Sequence, residues 1–156
     1  MSSSLEPAFH LREYRPADFA PICNIDRVCF PEGIAYTPEE IACGLLQRGA
    51  FAIVAEVRGQ VIAFILAYGR KRNLGHIITI DVLPEFRSMG IGKELMAAAE
   101  QRLRKTGVGR VVLEVSVDNQ NAIRFYESFG YVKKRTLLRY YADGGDAYLM
   151  EKAWSE

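Results

Sequence analysis

Apolar positions recur along this chain with two periods, and the changes of period mark its elements. Phe9-His10-Leu11-Arg12-Glu13-Tyr14 alternates sidedness, as a strand does, and is stopped by Pro16. From Ala17 to Cys29 the apolar residues Phe19, Ile22, Ile25 and Val28 recur every three positions, which predicts a helix with one apolar face. Pro21 falls near its first turn, where a missing N–H costs little. After the aromatic loop from Phe30 to Tyr36, Thr37-Pro38-Glu39-Glu40 reads as a capping box with proline at the first helical position, and Gly49 marks where that helix has stopped. Phe51 to Val57 and Val61 to Tyr68 form a hairpin around Arg58-Gly59-Gln60.

A basic turn, Arg70 to Gly75, leads into an apolar strand from His76 to Val82. The period then lengthens: Ile91, Leu95, Met96, Ala99 and Leu103 share one helical face, with Glu94, Gln101 and Lys105 elsewhere. Val111 to Val117 is a strand, and Asp118-Asn119 caps a helix from Ala122 to Phe129 that Gly130 ends. Tyr131 to Leu138 and Ala147 to Lys152 close the chain as strands. The order of strand, two helices, three strands, helix, strand, helix and two strands gives a mixed α/β class.

Composition narrows this picture by exclusion. At 156 residues the chain is long enough for one domain with a core of its own, expected over 9–153 behind a tail at 1–8. A net charge of +1 gives bulk electrostatics no grip on nucleic acid or a membrane surface. No run of about eighteen apolar residues exists, and the first residues lack the basic and apolar regions of a signal peptide, so a cytoplasmic protein is expected. Cys23, Cys29 and Cys43 lack metal-ligand spacing and read as small, reduced helix residues; no metal is expected.

Chemistry concentrates first at Arg87-Ser88-Met89-Gly90-Ile91-Gly92-Lys93, directly after the apolar strand and at the start of a helix. A helix N-terminus presents unpartnered amides and a partial positive charge, and glycines let an anion come close to them. Two familiar phosphate loops do not fit. A Walker A loop needs glycine and Ser or Thr where Arg87 and Glu94 stand, and a dinucleotide loop needs a third glycine where Leu95 stands.

What remains, Arg-x-x-Gly-x-Gly after a strand, resembles the acyl-CoA pyrophosphate loop of the GCN5-related N-acetyltransferase superfamily. Asn119-Gln120-Asn121-Ala122-Ile123-Arg124-Phe125-Tyr126-Glu127-Ser128-Phe129-Gly130-Tyr131 resembles that superfamily's second signature. Leu113-Glu114-Val115, Asn119 with Tyr126, and the segment from Tyr140 to Met150 are similar to the branch that acetylates protein N-termini, which includes ribosomal-protein alanine N-acetyltransferases and archaeal N-terminal acetyltransferases.

The resemblance implies a single-domain fold: a mixed sheet of about seven strands, four helices and splayed central strands. It implies acetyl-CoA as cofactor, with the backbone of Met89, Gly90, Ile91, Gly92 and Lys93 on the pyrophosphate and Arg87 beside it. Ile80 and Val82 would offer backbone groups to the thioester and pantetheine, and Asn119 would contact the cofactor. Tyr140 and Tyr141 would hold the first residues of a peptide, with Phe30, Pro31 and Tyr36 on the opposite wall. The acceptor is then a protein N-terminus or peptide, and the enzyme a monomer or weak homodimer. Ser116 and Gly145 depart from the branch's usual residues, so the acceptor's first residue does not carry over.

Acetyl transfer to an amine needs a neutral nucleophile, a stabilised carbonyl oxygen and a proton for the leaving thiolate. Glu114 is an acid in an apolar strand, on the face opposite Val111, Leu113, Val115 and Val117. It is an ion-pair partner for Arg124 or Lys133, an exposed acid, or a general base, and the resemblance favours the base. His76 is the other candidate base, since imidazole titrates near neutrality. Tyr126 is either a core aromatic or, as the resemblance implies, the proton donor to sulfur. Acetylation of small amines or lysine side chains, and an acyl-CoA binding module without catalysis, remain the competing functions.

Overall fold

The hairpin legible in the sequence lies inside a seven-stranded sheet of order β1-β2-β3-β4-β5-β7-β6. The computed structural model describes residues 8–70 and 73–154; most of the expected N-terminal tail, and Lys71 and Arg72 of the basic turn, lie outside the described residues. The strands are β1 (Phe9–Glu13), β2 (Ala50–Val57), β3 (Gln60–Arg70), β4 (Leu74–Val82), β5 (Arg110–Ser116), β6 (Val132–Leu137) and β7 (Ala147–Ala153). The helices are α1 (Phe19–Cys29), α2 (Pro38–Leu45), α3 (Ile91–Lys105) and α4 (Gln120–Ser128). Every pairing is antiparallel except β4 with β5, which the α3 crossover makes parallel.

Two apolar layers cover the sheet. On one face α3 and α4 bury Leu95, Met96, Ala99, Leu103 and Ile123 against Ile65, Ile77 and Leu113. On the other, α1 and α2 bury Ile22, Ile25 and Ile41 against Val54, Phe64 and Leu66. Each fully buried Leu, Ile or Met side chain contributes about 1.5–3 kcal/mol. The Thr37 capping box forms as the sequence predicts, with Thr37 accepting from the Glu40 amide and Glu40 from the Thr37 amide; such a cap contributes about 1 kcal/mol.

Several boundaries move. The turn between β2 and β3 is Arg58-Gly59, both at positive φ, and Gln60 already belongs to β3. The helix begun at Pro38 ends at Leu45 rather than at Gln47 or Arg48, and β4 starts at Leu74. Val28 is 53% exposed instead of sharing the buried face of α1. A spacing of three falls short of the helical repeat by 60° each time, so four such residues sweep half the helix circumference. The face that is buried is Ile22, Cys23, Ile25 and Asp26.

Two irregularities in β4 shape everything that follows. Pairing with β3 slips between Leu66↔Thr79 and Ala67↔Ile77, so Ile78 is an extra residue, a β-bulge. A one-residue slip reverses the facing of all later side chains. Ile80 therefore joins the α3 layer beside Ile65, while Thr79 and Asp81 turn to the α1 layer opposite Leu66 and Phe64. Already before the bulge β4 leaves β5: their ladder ends at His76↔Val112. The central strands splay, as the resemblance implies.

Candidate active site

The splay opens a cleft of about 710 Å³ that runs from the glycine loop to the aromatic loop. At one end α3 begins at Gly90, whose φ of 84° is left-handed and whose missing side chain leaves the first-turn amides without a side-chain cap. A Cβ on Gly90 would meet nothing within 4 Å, so the approach to those amides is open. The Arg87 Nε donates to the Val82 carbonyl at 2.9 Å and closes the loop back onto β4. Ile91 is buried and anchors the helix start. Arg87, Gly90, Ile91, Gly92 and Lys93 line the cleft, and this geometry suits a diphosphate at the helix start with an extended arm between β4 and β5. Met89 does not line it; its side chain packs on the α3 layer.

Ile80, Val82 and Asn119 also border the cleft. The Val82 carbonyl is already engaged, by Arg87 and by the Cys29 thiol at 3.4 Å. Asn119 Oδ1 accepts from the Ala122 amide at 3.2 Å and so caps α4. Tyr126 lines the cleft from α4, 8% exposed, edge-on to Phe125 and Tyr131. Burial, and then the charge of Asp81, push its phenol well above the usual range, so it stays a proton donor.

At the other end the structure joins two residues that the sequence offers as alternatives. His76 Nε2 lies 2.8 Å from Glu114 Oε1, and His76 Nδ1 lies 3.2 Å from the Tyr68 hydroxyl. A carboxylate only accepts, so the imidazole donates from Nε2 to Glu114, while its Nδ1 meets the Tyr68 hydroxyl. The hydrogen-bond partner of Glu114 is thus His76, not Arg124, which donates to Asn121, or Lys133, which lies over the Tyr148 ring. Glu114 faces the main cleft, whereas His76 and Tyr68 face a second, shallower groove beside α2.

The far end of the cleft is aromatic. Phe30, Pro31, Tyr36 and Tyr141 line the cleft; Tyr140 stands outside the lining, 44% exposed and edge-on to Tyr141 at 5.0 Å. Burial first, and then the Glu114 carboxylate, push Tyr140 up to about 12. Burial, with neighbouring phenols and Glu114, likewise raises Tyr36 and Tyr141. All three remain neutral donors near neutral pH. The two walls touch: the Ala142 amide donates to the Gly33 carbonyl at 3.2 Å. A side chain at Gly33 would come within 2.8 Å of Asp143 Cβ, and its φ of 91° suits glycine.

The cysteines are free thiols on α1 and α2, and burial pushes Cys29 up to about 11, which keeps it an unreactive thiol. Tyr68, Thr79 and the acids Asp26 and Asp81, which no sequence motif singles out, are also brought by the fold to the site or directly beneath it. The signal for Asp81 was present: like Glu114, it is an acid in an apolar strand.

Known proteins are similar to this chain over most of its length. An N-alpha-acetyltransferase of Sulfurisphaera tokodaii is 33% identical, with 91% of each chain covered. Among solved structures, Ard1 from Thermoplasma volcanium is 32% identical with a TM-score of 0.86, covering 96% of this chain and 99% of that one. Naa20 of Chaetomium thermophilum, in complex with a bisubstrate analogue, is 27% identical with a TM-score of 0.77, covering 92% and 86%. The model of the acetyltransferase (GNAT) family matches residues 19–131, and the chain belongs to that family.

Proposed function

We propose that this protein transfers the acetyl group of acetyl-CoA to the N-terminal α-amine of a protein or peptide. The observation that carries this reading is the cleft itself, in which a helix-start anion site, a buried phenol and Glu114, backed by His76 from behind, lie in sequence and end at an aromatic mouth. Relatives named N-alpha-acetyltransferase, and a structural relative holding a bisubstrate analogue, support the acceptor class. The reading extends to one catalytic domain over 9–153, acting in the cytoplasm as a monomer or weak homodimer; no helix among the described residues is long and apolar enough to cross a membrane.

Acetyl-CoA supplies an activated thioester. The amides of Met89 to Lys93 take its diphosphate, Arg87 holds their loop against Val82, and Ile80 and Val82 border the arm. Tyr36, Tyr140 and Tyr141 grip the first residues of the acceptor. Glu114, oriented by His76, removes the proton of the attacking amine directly or through a water, and Tyr126 protonates the departing sulfur.

Incubation with acetyl-CoA and peptides varying in their first residues, read by mass, tests the reading. An added acetyl group on the α-amine is expected; modification confined to lysine side chains or small amines would overturn it. Arg87→Glu places a carboxylate at the anion site and removes the donor to Val82. It is expected to raise the acetyl-CoA KM about tenfold or more at low salt while leaving the melting temperature within a few degrees. Isothermal titration with CoA checks this, and wild-type affinity would remove Arg87 from the loop's role.

A further inference from the structure

Beneath the acceptor wall, on the α1 face of the sheet, two acids are buried side by side. Asp26 of α1 is fully buried and Asp81 of β4 is 2% exposed. The Thr79 hydroxyl lies between them, 2.6 Å from Asp81 Oδ1 and 3.5 Å from Asp26 Oδ1, and its single proton serves the nearer oxygen. Asp26 Oδ2 accepts from the Tyr36 amide at 2.7 Å. Asp81 Oδ2 is buried with no hydrogen-bond partner. Two ionised carboxylates in so dry a space would be strongly unfavourable, and an oxygen without a donor is costly. One proton on Asp81 Oδ2, donated to Asp26, removes both penalties.

The arrangement spans the site. Tyr36 is held twice, through its amide to Asp26 and through its hydroxyl, which donates to the carbonyl of the bulge residue Ile78 at 3.3 Å. Asp81 reaches this face only because the Ile78 bulge reverses the strand's register. We propose that Asp26 and Asp81 share one proton and form a clasp that fixes the Tyr36 wall to the central strand, making Asp81 a positioning residue for the acceptor. This rests on the acceptor site proposed above.

The groups facing the pair are Asp26 and Cys29 from α1, Tyr36 from the aromatic loop, Thr79 of β4, Arg87 after β4 and Tyr126 from α4, with apolar Phe64 opposite on β3. Burial, and then the Asp26 carboxyl, raise Asp81 well above the usual carboxylate range, whereas Cys29, Tyr36 and Tyr126 are held neutral. The pair is therefore the group that changes charge. A carboxyl raised on folding contributes stability that is fully present below about pH 4 and is lost as pH rises through the raised value.

The test uses the full chain with acetyl-CoA and the best acceptor from the peptide panel. Asp81→Val is expected to raise the peptide KM about tenfold while the acetyl-CoA KM stays within about twofold, since it leaves Asp26 without its partner. Asp81→Asn, whose amide can donate to Asp26, is expected to hold both KM values within about twofold of wild type near neutral pH. A peptide KM equally poor in Asp81→Asn and Asp81→Val, an unchanged peptide KM in Asp81→Val, or a joint shift of both KM values overturns the clasp. If no peptide is acetylated, the acceptor reading fails, and the clasp is read from melting instead. Wild type is expected to lose stability relative to Asp81→Asn as pH rises above about 4, and parallel curves overturn it.

Discussion

Glu114→Gln is expected to lower kcat by about 10²- to 10⁴-fold, the range a positioned general base supplies. The side chain keeps its shape and loses only the ability to take a proton. Because Glu114 lies on the cleft and the glycine loop lies at its far end, the acetyl-CoA KM should move little. His76→Ala should cost less, about tenfold, because the imidazole acts on the carboxylate rather than on the amine. The double variant should fall no further than Glu114→Gln alone, since residues working as a unit are not additive. Steady-state rates of wild type, the two single variants and the double variant check this. Multiplicative losses would instead make the two residues independent catalysts, and a larger loss in His76→Ala would reverse their roles.

Tyr126→Phe carries the second large expectation: a fall in kcat of about 10²-fold with an acetyl-CoA KM within about twofold of wild type. Removing one hydroxyl leaves the ring packed on Phe125 and Tyr131, so the fold should not report the change. The leaving thiolate loses its proton source, and the effect appears in turnover. Burial keeps this phenol protonated, so wild type should show no alkaline loss from Tyr126 below about pH 10. Single-turnover acetylation separates the chemical step from product release. Unchanged turnover would return Tyr126 to the core.

How much of the site is legible in one dimension depends on the range of the physics involved. The α3 loop is local: a strand, a glycine pair and a helix start lie within a few residues, and the structure places Gly90 and Ile91 where the pattern puts them. The Thr37 capping box is local too. The relation between His76 and Glu114 is not, because thirty-eight positions separate them and only the register of β4 against β5 makes them neighbours. Read singly, they look like alternatives; at 2.8 Å they are one unit. Asp81 shows a different difficulty. Its place in the apolar alternation assigns it to the face of Ile77, and the Ile78 bulge sends it to the other. Val28 shows the converse, a periodic residue that helical drift carries out of the core.

Propensity, capping and periodicity act over a few residues, so the mixed α/β class, the order of elements, the uncapped helix start after the glycine loop and the family resemblance are legible in the chain itself. Tertiary structure alone decided which acids meet which partners. One inserted residue at Ile78 and the parting of β4 from β5 after His76 set the facing of Thr79, Ile80 and Asp81. Both features come from pairing with distant strands, which no local pattern encodes.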